Sequence, residues 1–467
     1  MLSHPRDDME LAALQLLVCL TQCIFMPNNR AELISNIKNP MTVEIYENVI
    51  KEYVLWFSLD DPEYPFMQDI DAKDEVITGV QKLLPGMPEG DGSATLFVDY
   101  DTVKKACPSC VAIALFNQAT NAPSFGGGTK APLRGSAPIT TLIYSQNLRE
   151  MIWKNIFDLE WAKEFWSQVE ISDKPVWIEK LKINSFIPTA SIGMMRGLFW
   201  QPAYLYVEWV SSQEASICPC CGKRSKDFCE FFRKNKFPYT LSGPNWRHPH
   251  SPYIFDAKKN EMEVLSFNKG IASPLWSRLC DVLPIDSKTL TVWSLPVKRY
   301  TELRHSNGTL PLVVGGYRNK QASILERRHE MISIGATWIK DEECLTMFHG
   351  MIGMALSFRD SLRKKAYSFG KSLDQASNIP AGISNESCNV FFQDTELLMH
   401  QYISSEPTLS HSEEIAKELR RISLNIFEEV TKPYLSNVKA LKSYSLNKVG
   451  LQRELNKIVK TQTQKRI

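Results

Sequence analysis

The spacing of apolar positions changes character once along this chain, near residue 335. From there onward apolar residues recur at helical spacing, with Ile415, Leu419, Ile422, Ile426 and Val430 forming one stripe. Four such segments can be drawn, at about 338–371, 387–404, 411–432 and 437–462. Gly370, Pro380 and Gly382 mark the first connection, and Pro407 and Pro433 punctuate the other two. The pattern predicts an up-and-down four-helix bundle over 334–467. Upstream, short helical patterns mix with strand-like runs such as 139–144, 205–210 and 291–295, bounded by Gly, Pro, Asn or Ser. Residues 1–333 therefore read as an irregular mixed domain with long loops, and the whole chain as α+β.

The first apolar run, Met9 to Met26, carries Asp7, Asp8 and Glu10 where a secretory signal would be basic, and Gln15, Thr21 and Gln22 interrupt it. It is also short for a bilayer span. The expectation is a buried helix with Asp7 or Asp8 as its N-terminal cap, and no membrane or secretory route.

A length of 467 residues suggests two or three domains. The formal net charge is only +2, so any affinity for nucleic acid must come from local patches. Two patches stand out. Nine Lys/Arg follow from Lys432 to the end against the single acid Glu454, and Arg359, Arg363, Lys364 and Lys365 cluster on the first bundle helix. A solvated helix face and a phosphate-tracking surface explain them equally well.

Among eleven cysteines, Cys19, Cys23, Cys280, Cys344 and Cys388 lie in mainly apolar or helical stretches, where a reduced thiol behaves as a small hydrophobe. A reducing cytoplasm fits this usage. Four others form two CxxC turns, Cys107-Pro-Ser-Cys110 and Cys218-Pro-Cys-Cys221. Each turn sets two thiolates on one side of a tight loop, and two turns supply the four soft ligands of a structural zinc. The separation between the pairs is far beyond that of a zinc ribbon, so the metal would pin two distant loops together. The plain alternative is a set of unrelated cysteines. Gly222 and the polar run Lys223–Lys226 suit an exposed metal-binding turn, and Cys220 competes by position as a ligand.

Three further clusters carry candidate chemistry. The run Gly126-Gly127-Gly128 lets backbone approach a ligand closely, yet it lacks the order of a Walker motif, and a surface loop explains it too. Val313 to His329 reads as a hairpin with a polar tip, Asn319-Lys320-Gln321, where a glutamine amide could read a base edge or wedge between base pairs. An ordinary solvated turn is the alternative. Phe231 to Tyr239 interleaves rings with Arg233, Lys234 and Lys236, which suits nucleic acid or a basic helix face with its rings in the core. His248-Pro-His250 could be a metal pair, although a structural turn near Trp246 explains it better. No nucleophile–base pair or nuclease carboxylate cluster is visible; Asp99 and Asp101 lack accompanying acids.

Taken together, these segments resemble the CasA family, the large subunits of type I-E CRISPR surveillance complexes (Cascade). The resemblance runs through 5–14, 112–119, 125–128, 196–203, 248–252, 315–319 and 321–329, and so covers nearly the whole chain. It implies a non-catalytic protein of antiviral defence that recognises double-stranded DNA beside a protospacer-adjacent motif (PAM) and helps open the duplex for the guide RNA. It implies a glycine loop at Gly126 and Gly127, a lysine finger at Lys236 and a glutamine wedge at Gln321, with Lys320 beside it, all reading the minor groove. Phe97, Val98 and Asp99 resemble the loop that contacts the 5′ handle of the guide RNA, and Lys258 and Lys259 a basic pair near the displaced strand. Cys107, Cys110, Cys218 and Cys221 fall where the family has zinc, and on this reading the metal orders loops beside the handle contact and beside Lys236. The implied partners are guide RNA, target DNA, the other Cascade subunits and a helicase–nuclease effector, with no membrane.

Three residues depart from the family pattern. Ser124 replaces a glycine, Lys320 replaces an asparagine before the wedge, and Asp99 replaces an asparagine in the handle loop. The chain also begins later than family members do, so either its start lies further upstream or the first layer of the sheet is incomplete. Two other classes compete: a zinc-dependent nucleic-acid enzyme, which a closed four-Cys site does not suit, and a general RNA-binding scaffold.

Overall fold

The computed structural model describes residues 4–72, 77–88, 102–125, 129–166, 173–182, 184–236, 239–256, 258, 260–267, 273–283, 291–303, 308–374, 377–406, 409–436 and 438–464. The chain divides into two compact units. Met1–Lys269, Thr289–Leu303 and Val313–Met331 make the first; Gly270–Lys288, Arg304–Leu312 and Ile332–Ile467 make the second.

The first unit is mixed α/β. Its opening helix α1 (Asp7–Ile24) is buried along most of its length, as the apolar run predicts. The cap is different. Arg6 occupies the N-cap without a side-chain capping bond, and Asp8 turns inward in the first turn, because the Arg6 guanidinium and the Tyr317 hydroxyl both donate to it. Helix α2 (Pro108–Thr120) packs against α1. One sheet runs β1 (Ile77–Gly79), β4 (Arg224–Lys236), β3 (Ala203–Ile217), and a second runs β6 (Ser323–Gly335), β5 (Thr309–Lys320), β2 (Thr140–Ile143). The expected strand over 205–210 belongs to the longer β3, while that over 291–295 shrinks to Thr291–Val292 because Leu295 begins a helix. Rings of Phe57, Phe66, Trp177 and Phe199 meet edge-to-face at 5.3–6.3 Å in the core, a geometry that gains energy beyond burial alone.

Strand β5 lies close against α1. A Cβ at Gly315 would stand 2.4 Å from a Leu11 methyl and 2.7 Å from the Arg328 carbonyl, so only glycine fits there.

In the second unit, α3 (Glu342–Leu373), α4 (Ile379–Ser404), α5 (Leu409–Thr431) and α6 (Val438–Gln464) pack into a bundle. The stripe Ile415, Leu419, Ile422, Ile426 and Val430 is buried, as its spacing predicts. Helix α4 starts about two turns before the expected position, taking in Pro380 and Gly382. Proline is tolerated in a first turn, where its missing N–H has no helical partner. Gly370 lies inside α3 and lets the backbone of Pro380 approach; a Cβ there would meet it at 2.7 Å. No helix among the described residues is long and apolar enough to cross a membrane.

Candidate functional site

The two CxxC turns come together. Cys107 sits at the N-cap of α2, with Pro108 pre-set for the first helical position and Cys110 one turn in. Cys218 and Cys221 occupy the turn joining β3 and β4. That turn closes when the Gly222 N–H donates to the Cys218 carbonyl at 2.8 Å, with Gly222 at φ +75°, a conformation glycine adopts freely. The four sulfurs lie within 4.8 Å of one another, with Cys107–Cys221 at 3.7 Å and Cys110–Cys218 at 4.0 Å. Sulfurs bound tetrahedrally at about 2.3 Å from a common ion would stand about 3.8 Å apart, so the donor set fits a closed thiolate site that could hold a metal ion. Among these clustered thiols the pKa of Cys218 is lowered, chiefly by its hydrogen bonding with Cys107, Cys110 and Cys220. Cys220 stays outside the group of four. Its bond with Cys110 pulls its pKa down, but its bond with Cys218 and its burial prevail and push it up to about 12.

The His4 ring also touches this cluster. Its Nε2 lies 3.6 Å from the Cys110 sulfur, and burial lowers its pKa.

The cysteine turn does not lie beside Lys236. The two occupy opposite ends of β4, a strand of 13 residues and therefore roughly 40 Å long. The segment 231–236 is a strand and not a helix face, so its rings alternate: Phe232 is buried and Phe231 half-exposed. Lys236 is exposed, opposite Ala203 of β3.

Described residues on either side of 126–128 contact the strand ending at Lys236 and the hairpin ending at Gln321: 122–125 follow α2, and 129–137 precede β2. The Phe125 ring packs 6.0 Å from that of Phe232 and under the Lys234 ammonium, on the strand that ends at Lys236. Lys130 lies 5.8 Å from the ring of Tyr239, just beyond that strand. Further along, the Asn319 amide donates to the Ser136 hydroxyl at 3.1 Å, while Ala122 and Ala137 pack around Tyr317 and Ile324 of the β5–β6 hairpin. Sequence reasoning missed these anchors, because rings, small residues and a serine in a loop carry no distinctive spacing.

At the hairpin tip, Gln321 and Ala322 form a two-residue loop, with Lys320 and Gln321 exposed. Gln321 has φ +55°, where a II′ turn ordinarily places glycine. The Asn319 amide donates to the Gln321 carbonyl at 2.5 Å and steadies this conformation.

Lys258 is exposed in the turn between Tyr253–Asp256 and Glu261–Val264, its N–H bonded to the Asp256 carboxylate. Gly126, Gly127, Lys259, Phe97, Val98 and Asp99 lie outside the described residues.

His248 and His250 form a buried turn, with Cys19 close by. The His250 N–H donates to His248 Nδ1 at 3.1 Å, which puts the His248 proton on Nε2, and the Arg134 guanidinium bonds the His250 carbonyl. Among the described residues His248 Nε2 and His250 Nδ1 are buried without a hydrogen-bond partner, and together with Cys19 the two rings form a second group of donors that could hold a metal ion.

This combination, a mixed body and a helical bundle, is the fold of a group of CRISPR-associated proteins. The structure of Thermus thermophilus CasA (Cse1) matches with a TM-score of 0.72 and 17% identity, covering 97% of this chain and 92% of that one. Thermobifida fusca Cse1 matches with a TM-score of 0.74 and 14% identity, covering 99% and 92%. A chain of a CRISPR RNA-guided surveillance complex matches with a TM-score of 0.66 and 13% identity, covering 96% and 91%. The model of the family described as CRISPR-associated protein Cse1 matches residues 1–426, and the chain belongs to that family. The resemblance seen in its sequence motifs is borne out.

Proposed function

We propose that this chain is the large, non-catalytic subunit of a type I-E CRISPR RNA-guided surveillance complex. In this role it reads the PAM of double-stranded DNA, starts duplex opening and recruits a helicase–nuclease effector in the cytoplasm. Family membership supports the subunit role. One observation carries the DNA-reading role: residues on either side of 126–128 contact the strand ending at Lys236 and the hairpin ending at Gln321. Residues flanking the glycine run thereby contact the other two elements of the proposed minor-groove reader. Backbone at Gly126 and Gly127 approaches the groove floor, Lys236 donates to base acceptors, and Gln321 inserts at the first base pair, with Lys320 steering the phosphates. Minor-groove chemistry is degenerate, so a tolerant set of PAMs is expected. Phe97, Val98 and Asp99 meet the guide-RNA handle, and Lys258 and Lys259 the displaced strand. Cys107, Cys110, Cys218 and Cys221 hold a structural zinc, which supplies rigidity and no chemistry.

The test is the affinity of a reconstituted guide-RNA complex, with and without this chain, for duplexes with a correct or scrambled PAM at fixed salt. Selectivity that appears only with the chain is the expected result; equal binding to both duplexes leaves an RNA-binding scaffold. Gln321→Ala should reduce permanganate-detected opening on the order of tenfold, about 1.4 kcal/mol, while filter binding changes far less. Equal losses in the two assays count against the wedge.

A further inference from the structure

The N–H groups around the four sulfurs lead beyond the cysteines. Four thiolates on a divalent ion carry a net double negative charge, and donors aimed at the sulfurs draw part of that charge away. One donor is backbone: the Cys107 N–H points at the Cys218 sulfur at 3.4 Å. The other candidate is the His4 ring, and its tautomer can be read from its surroundings. The Arg6 backbone N–H donates to His4 Nδ1 at 3.0 Å, so Nδ1 is the acceptor and the ring proton sits on Nε2. That Nε2 faces the Cys110 sulfur at 3.6 Å.

The same short segment is fixed at its other end. The Arg6 guanidinium makes a two-pronged bond to the Asp8 carboxylate, at 3.1 and 2.7 Å, and a third bond to the Pro85 carbonyl at 2.7 Å. Asp8 also accepts from the Tyr317 hydroxyl at 2.8 Å, and Tyr317 in turn accepts from the Asn117 amide of α2 at 2.8 Å. A continuous path of hydrogen bonds therefore runs from Cys110 through His4, Arg6 and Asp8 to strand β5.

We infer that His4 is an outer-sphere member of the four-cysteine metal centre, donating its Nε2–H to the Cys110 thiolate and tying metal retention to the Arg6–Asp8–Tyr317 anchor of the hairpin. His4 is a positioning residue and not a ligand, because its proton occupies the nitrogen that would bind the ion. The inference rests on the zinc reading of the cluster.

The experiment uses the full chain loaded with zinc, and separately with cobalt, in wild-type, His4→Phe and His4→Gln forms. Phenylalanine keeps the ring and removes the donor; glutamine restores an N–H at similar reach. His4→Phe is expected to release zinc to a chromogenic chelator about tenfold faster. It should also move the sulfur-to-cobalt charge-transfer band to lower energy, and His4→Gln should restore both. His4→Ala, which adds no bulk, is the second variant should the phenyl ring disturb packing. Unchanged release and an unchanged band in the donor-less variants overturn the inference. Faster release without a band shift, or without recovery by glutamine, also overturns it, since that marks a packing role. A wild-type chain that takes up no metal overturns the zinc reading and this inference together, so the two failures are distinguishable.

Discussion

Arg134 lies fully buried between the end of α2 and strand β2, where it donates to Asn121, Thr140 and Ser251 and to the carbonyls of Ile139 and His250. Burial lowers the pKa of its guanidinium to about 10. Arg134→Met would leave those acceptors unpaired and should cost on the order of 3 kcal/mol or more, read as a shift in the urea midpoint at constant slope. Little of this was legible in the sequence. Arg134 stands between Pro132 and Gly135 in a stretch that looks like surface loop, and two of its acceptors come from residues more than 110 positions away. Gln321 shows the opposite case. Its place at the polar tip of a hairpin was legible from the flanking apolar runs, whereas its left-handed backbone did not follow from any residue type, since glycine is what that conformation favours.

The β5–β6 hairpin and the helices of the bundle differ in how plainly their sequences announce them. Helical spacing located all four bundle helices; α3 begins about a turn later than expected, at Glu342, and α4 about two turns earlier, because Pro380 fits a first turn as well as a connection. The basic patches were legible as charge but not as pairing: Lys365 bonds Glu454 at 2.8 Å and Lys448 bonds Glu428 at 2.7 Å, so the one acid of α6 and an acid of α5 take up part of the charge. The hairpin root was legible as Gly315-Gly316, but its reason, contact with Leu11 some 300 residues earlier, is tertiary. Gly315→Ala forces that contact apart and should cost about 1–3 kcal/mol, with faster hydrogen exchange along β5 and β6. Removing metal acts on other elements. Chelation should speed exchange at the Cys218–Gly222 turn and the first turn of α2, while the Lys236 end of β4 stays protected, since the strand separates the two by roughly 40 Å. Equal deprotection at both ends would contradict this separation.

At the scale of the whole molecule, stability should depend on acid through two histidines. Burial, with Arg134 nearby, lowers the pKa of both His248 and His250 well below 6.5. As pH falls below about 6.5, the unfolded chain binds protons that the folded chain refuses, so this stabilisation is intact above that pH and is lost below it. The slope approaches about 1.4 kcal/mol per pH unit for each histidine, and replacing both with glutamine should flatten the profile in chemical denaturation. The change of apolar spacing near residue 335 marked where the bundle begins, but not that 270–288 and 304–312 also belong to its unit, because those short segments carry no helical period. The cysteine cluster has a consequence for the order in which this protein is made. Its two halves stand 108 residues apart, so a ribosome adding about 5–20 residues per second exposes Cys107 and Cys110 roughly 5–20 s before their partners exist. During that interval a nascent chain carries only half of the cysteine cluster, so closure of the cluster is a late event in synthesis.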